Sequence, residues 1–153
     1  MTSAGTVIAI HLAAATEAPP FAVERAEAVA GTGLRGDRYF EPGAAAARQL
    51  TLIEAEELEH LAAEHGIALA PGGSRRQITT RGVRLNPLVG RRFRVGDVEC
   101  RGIELCEPCT DLQRTTGEPA ILRAFVHRAG LNAEILTSRA IAVGAPIVVL
   151  GED

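Results

Sequence analysis

Between Thr6 and Ala14 the apolar residues Ile8, Ile10 and Leu12 alternate with smaller or polar ones, the period of a half-buried strand. Ala22 to Ala30 alternates more weakly, and Pro19-Pro20 marks a turn between the two runs, so the chain is predicted to start with a hairpin. Arg48 to Ile53 returns to strand character. The period then changes. Leu58, Leu61 and Ala62 define the buried side of a helix predicted from Glu54 to His65, and Gly66 stands where a C′ glycine ends a helix. The other face of that helix is acidic and reads as solvated surface.

Pro71-Gly72-Gly73-Ser74 breaks the chain before Arg75 to Gly82, which alternates like a strand with a cationic polar face. Asn86-Pro87 and Gly90 read as turns. Two strands are expected from Arg91 to Cys106, with Phe93 and Val95 before the Gly96-Asp97 turn and Val98, Cys100 and Ile103 after it. Glu118-Pro119 opens a second helix that carries Ile121, Leu122 and Phe125 toward the core and ends near Gly130. Strands follow at Leu131 to Leu136, Ala140 to Val143 and Ile147 to Leu150. Gly31 to Phe40 interleaves three glycines with Arg35, Asp37 and Arg38 and reads as a structured loop, whereas Gly43 to Ala47 reads as a small mobile linker. Many short strands with close turn signals and only two good helices point to a mainly β, α+β fold built on a closed or nearly closed barrel. No solenoid repeat interrupts that picture.

Composition narrows it further. A chain of 153 residues with 46% apolar content and mean hydropathy +0.11 suits one globular domain, 1–153, with a real core. Aromatics are 3% and the net charge is -3, which argues against nucleic-acid binding by stacking or by a basic face. All sixteen basic residues are arginines, so every cationic site offers a guanidinium fork suited to phosphate or carboxylate. Three unevenly spaced cysteines form no disulfide framework. With no leader or long apolar span in view, a cytoplasmic protein without membrane contact is expected.

The chemistry concentrates in Leu105 to Arg114. Pro108 suits the first position of a short helix, which sets Cys109 at the helix N-terminus, where unpaired amides favour a thiolate. Such a sulfur is a nucleophile and a soft metal ligand. Cys106 reads as a small buried residue ending a strand, and Cys100 with the scattered histidines forms no patterned zinc set. Arg76 and Arg81 flank Thr79-Thr80 and Gly82, small groups that let an anionic ligand approach. The alternative for the whole arginine run is a solvated strand face. Gly36-Asp37-Arg38 is either a turn closed by an ion pair or part of a site.

Several stretches together resemble a free-standing MOSC domain: Gly33 to Tyr39, Arg48 to Ile53, Arg75 to Gly82, Leu85 to Gly90, Cys106 to Cys109 and the closing Gly130 to Gly144 segment. The resemblance implies a MOSC or pyruvate-kinase-type β-barrel and a protein that handles the molybdenum cofactor, molybdopterin, or its sulfur. It places the family's characteristic cysteine on Cys109, as molybdenum ligand or persulfide carrier. It implies that Arg76 and Arg81 hold the pterin phosphate and that the Gly33 to Tyr39 loop, which carries Asp37 and Arg38, lies at the site's rim, with Thr80 and Asn86 completing the cofactor-binding set. Gln77 stands where relatives tend to have Asn.

The implied activity is reduction of small N-hydroxylated substrates, with electrons from a separate redox protein. The alternative is a carrier module that holds a Cys109 persulfide between sulfur donor and acceptor proteins. No pyridoxal phosphate is expected, because the desulfurase module of the long sulfurases is missing from this sequence.

Overall fold

The structure, a computed structural model, describes residues 4–152. Its strands are β1 (Gly5–Leu12), β2 (Phe21–Val23), β3 (Arg25–Val29), β4 (Gly33–Leu34), β5 (Leu50–Glu54), β6 (Ile78–Arg81), β7 (Arg91–Val95), β8 (Val98–Leu105), β9 (Leu131–Ile135), β10 (Arg139–Ala142) and β11 (Pro146–Glu152). Three helices accompany them, α1 (Ala55–His65), α2 (Thr110–Thr116) and α3 (Ile121–Ala124). The order β11-β7-β8-β9-β5-β6-β1 closes on itself through β1–β11 pairing at Gly5↔Ile147. The result is a closed seven-strand barrel of mixed direction, with β5–β6 the parallel pair. Closure removes the exposed edges that an open sheet would present.

The barrel interior is filled by inward side chains such as Val7, Ile10, Leu52, Ile78, Phe93, Val95, Leu131 and Ile147, each at most 1% exposed. β5 is buried along its whole length. Its alternation explains why: Leu50 and Leu52 enter the barrel, while Ile53 turns outward into a second cluster with Leu61, Leu112, Ile121 and Phe125 from the three helices. The helices therefore form a cap on the outer face of β5. That cap brings α2, and the cysteine segment before it, against the barrel wall.

Four expectations need correction. The Ala22–Ala30 run is not one hairpin arm: β2 pairs with β1, whereas β3 leaves the barrel to pair with β10 and β4. Alternation reports burial, not partners, so the break was not visible. Helix α1 buries Ala55 and Leu61 and exposes Ala62. The helix after Pro119 is one turn only, because the His127 amide donates to the Glu107 carboxylate at 2.7 Å instead of continuing the ladder. Finally, β6 starts at Ile78, so Arg75 and Arg76 belong to the loop before the strand. Gly66 does end α1, with φ 68° and its amide bonded back to Ala62 and Leu61.

Candidate functional site

The segment after β8 is held in place before it reaches Cys109. The Cys106 amide donates to the Gly130 carbonyl at 2.8 Å. Gly130 has φ 114°, and a Cβ there would lie 2.1 Å from the Leu52 carbonyl, so only glycine fits. Arg76, 6% exposed, supplies the second anchor. Its Nε donates to the Ala129 carbonyl at 2.8 Å, and its terminal nitrogens donate to the carbonyls of Ser74, Glu107 and Cys106 at 3.2, 3.3 and 3.5 Å. One guanidinium thus ties the β6 approach, the β9 approach and the cysteine loop together.

Cys109 is the N-cap of α2, with its carbonyl accepting from Gln113 at 3.0 Å. The first helical residue is Thr110, so Pro108 precedes the cap instead of opening the helix. The Cys109 side chain is exposed, Cys106 is half-buried and Cys100 is fully buried. Burial pushes the Cys100 thiol far above its ordinary range. Burial also raises the Cys106 thiol, opposed by the nearby Arg76 charge.

Cys106 and Cys109 open onto one cleft of about 340 Å³ whose wall includes Arg38, Tyr39, Arg48, Arg75 and Arg76. The elements arrive there from one end of the barrel, where β5 and β6 begin and β8 ends. Arg75 adopts a left-handed φ of 66°, closing a turn in which its amide donates to Gly72 at 3.0 Å. This bend lets two successive arginines face the same space. The Arg75 guanidinium reaches the Ala18 and Thr16 carbonyls at 2.6 and 2.7 Å. Arg38 and Arg48 lie over the Tyr39 ring at 4.3 and 5.2 Å from its centroid, cation–π contacts that leave charge facing the cleft.

The nearby carboxylates are committed elsewhere. Glu107 is bound to the His127 amide and Nδ1, and Asp111 pairs with Arg114 at 3.0 Å. Asp37 sits below the cleft, 6% exposed, accepting from Gln77 Nε2 at 2.7 Å and from the Ala13 and Tyr39 amides at 3.0 and 3.2 Å. Its contact with Arg38 is looser, 3.6 Å. Gln77 in turn accepts from the Thr51 amide at 2.9 Å, and it is 2% exposed. The glutamine at this position is therefore a buried bridge between Asp37 and β5.

The structure separates other members of the expected set from this cleft. Arg81 is the last residue of β6, at the end of the strand away from the cleft, where it grips Glu59 with bonds of 2.7 and 3.3 Å. Five residues of extended chain at about 3.3 Å each put it roughly 16 Å from Arg76. Thr80 is fully buried and donates to the Ile53 carbonyl at 3.3 Å. Asn86 donates to the His127 carbonyl at 2.9 Å, supporting the residue that holds Glu107. Tyr39, the end of the expected rim loop, does line the cleft, and Arg48 and Arg75 join it there without an expected role. Arg48 was visible only as the start of a strand, and Arg75 only as Arg76's neighbour.

Among the described residues no group of three or more His, Cys, Asp or Glu side chains could cage a metal ion. The described residues therefore offer a metal at most two such side chains at one place, and further ligands would have to arrive with it. The cleft fits a group of that kind, anionic and carrying its own metal ligands. The Arg38 Nε is buried without a hydrogen-bond partner, and the Cys109 sulfur opens onto the same space. No helix among the described residues is long and apolar enough to cross a membrane.

Comparison with known structures gives the same architecture. YuaD from Bacillus subtilis superposes with TM-score 0.81 at 16% identity, covering 97% of each chain. YiiM from Geobacillus stearothermophilus gives TM-score 0.76 at 14% identity over 95% of this chain and 75% of that one. YiiM from Escherichia coli gives 0.69 at 17% identity, over 100% of this chain and 71% of that one. No curated protein sequence matches. The MOSC domain profile matches residues 28–148, spanning β4, the cleft arginines, both cleft cysteines and most of the barrel. The chain belongs to the MOSC domain family, which is associated with molybdenum-cofactor binding or sulfur-related function.

Proposed function

We propose that the cleft binds the molybdenum cofactor, with the Cys109 thiolate as the protein's ligand to the metal. The observation that carries this reading is the shared cavity: an exposed thiol shares it with Arg38, Arg48, Arg75 and Arg76, while Glu107 and Asp111 on the same wall are engaged by His127 and Arg114. Arg38 and Arg48, backed by Tyr39, would take the pterin's phosphate, since guanidinium forks match phosphate oxygens. Arg75 and Arg76 add positive potential while their own donors stay on backbone carbonyls. Their task is to fix the cleft's shape and that of the Cys106–Cys109 loop.

When bound, the cofactor would supply the two-electron chemistry that reduces a small N-hydroxylated substrate. Electrons would come from a separate redox protein. The chain's own residues orient the cofactor and hold the thiolate in register with it. Protein made in cells with an intact cofactor pathway should contain molybdenum and reduce hydroxylamine-type compounds. Cys109→Ser should lose metal and activity together while unfolding at the wild-type midpoint. Full metal content in that variant would end the proposal.

A second reading is supported by Cys106, whose thiol shares the cavity with Cys109. Here Cys109 carries sulfur as a persulfide between a donor and an acceptor protein, and the arginines stabilise the anionic sulfur. Purified protein low in molybdenum but with cyanolysable sulfur on Cys109 would favour it.

A further inference from the structure

Neither reading gives Cys106 a chemical step of its own, and its placement is specific. Its amide is pinned to Gly130, its carbonyl accepts from Arg76, and its half-buried side chain opens onto the cleft below the exposed Cys109. Both cysteines line that cleft, and negative charge on Cys109 acts against ionisation of the Cys106 thiol. Only Glu107 and Pro108 separate them, between the end of β8 and the cap of α2. A soft cation bridging the pair is disfavoured by four surrounding guanidiniums. Anionic sulfur is favoured by the same groups.

We propose that Cys106 is the resolving thiol that discharges sulfur from Cys109, releasing hydrogen sulfide and closing a Cys106–Cys109 disulfide. The proposal rests on the sulfur-carrier reading. The Cys106 thiolate attacks the Cys109 Sγ of the persulfide, the bond from that Sγ to the terminal sulfur breaks, and the terminal sulfur leaves as HS⁻. It then takes up the proton that Cys106 gave to solvent. The Cys106 sulfur is oxidised to the disulfide level and the terminal sulfur is reduced to sulfide, so no outside oxidant enters. A dithiol reductant would reopen the bridge for another cycle.

Burial gives the step its control. It holds Cys106 protonated above the ordinary thiol range, with Cys109, Glu107 and Glu104 acting in the same direction and Arg76 against them. The loaded state thus persists near neutrality, and discharge speeds up as pH rises and the Cys106 thiolate forms.

The test loads the full chain with inorganic polysulfide, removes the excess by desalting, and follows sulfide release and peptide masses without reductant. Wild type should gain one sulfur on Cys109, then release stoichiometric sulfide, faster at alkaline pH, and end with an intrachain bridge two hydrogens lighter than the dithiol. Cys106→Ser and Cys106→Ala should both load and keep the sulfur. Loading in these variants followed by release at the wild-type rate overturns the role of Cys106, as does a disulfide found only between two chains. Failure of every protein, Cys106 variants included, to take sulfur on Cys109 overturns the carrier reading and this step with it.

Discussion

Two clusters of arginine lie at opposite ends of β6, and their surroundings differ in one respect. Around α1, Arg81, Arg84 and Arg128 face Glu59, Glu54 and Glu57, with closest contacts of 2.7, 3.2 and 2.9 Å. Glu56 there accepts from the Gly82 amide at 2.8 Å. Each cation has its anion beside a cavity of about 440 Å³, and Glu56 adds a further carboxylate to its wall. In the cleft, Arg38, Arg48, Arg75 and Arg76 meet carbonyl oxygens and a tyrosine ring; Asp37 approaches Arg38 only loosely, at 3.6 Å, and the lining carboxylates Glu107 and Asp111 are taken up by His127 and Arg114. The difference teaches that the number of arginines marks nothing. What marks a site for an anion is the positive charge left over after the protein's own acids are counted.

Substitutions at the two clusters should have unequal effects. The largest effect should come from Arg76→Ala, which strips the buried donors from four carbonyls. Calorimetry should show a loss of about 3 kcal/mol in unfolding free energy, whereas Arg81→Ala, an exposed partner of Glu59, should leave the midpoint unmoved. Equal losses would mean that the two clusters do the same structural work. Next in size, replacing Arg38 and Arg48 together by Gln should weaken binding of a phosphate monoester in titration calorimetry by about tenfold, or about 1.4 kcal/mol. The paired substitution of Arg81 and Arg84 by Gln should leave that binding unchanged.

The smallest effect concerns His11, which shares a pocket with Arg38, Arg75 and Arg76. Its pKa is lowered by burial, and its Nδ1 is buried without a partner. The unfolded chain therefore binds that proton more tightly than the fold does. The contribution of neutral His11 is fully present above about pH 6.5 and is lost as pH falls through the lower folded value. A shallow loss of stability on acidification, removed in His11→Gln, is expected from melting curves across that window. An unchanged slope in the variant would remove His11 from the account.

Much of this fold is written in local patterns. The Gly96-Asp97 hairpin, the strands from Leu131 onward and the Gly66 helix stop need only neighbours along the chain. The placement of Cys109 at a helix start was legible for the same reason, apart from the one-residue shift of the cap. Pairings across the sheet were not. Nothing local says that β3 abandons β2's sheet for β10, or that Arg76 and Arg81 part company along β6. The role of Gln77 was equally hidden, because its partners Asp37 and Thr51 are 40 and 26 residues away. Arg48 enters the cleft through a short helical turn, Ala46–Arg48, that composition alone marks only as small.

The central claim is that unneutralised charge beside Cys109 holds the cofactor. Its most direct measurement is molybdenum per chain in three proteins made in cells with a complete cofactor pathway: wild type, Arg38→Gln with Arg48→Gln, and Arg81→Gln with Arg84→Gln. Stoichiometric metal is expected in the first and third and little in the second, with all three folded. Equal metal in the two double variants, whether retained or lost, would contradict that claim.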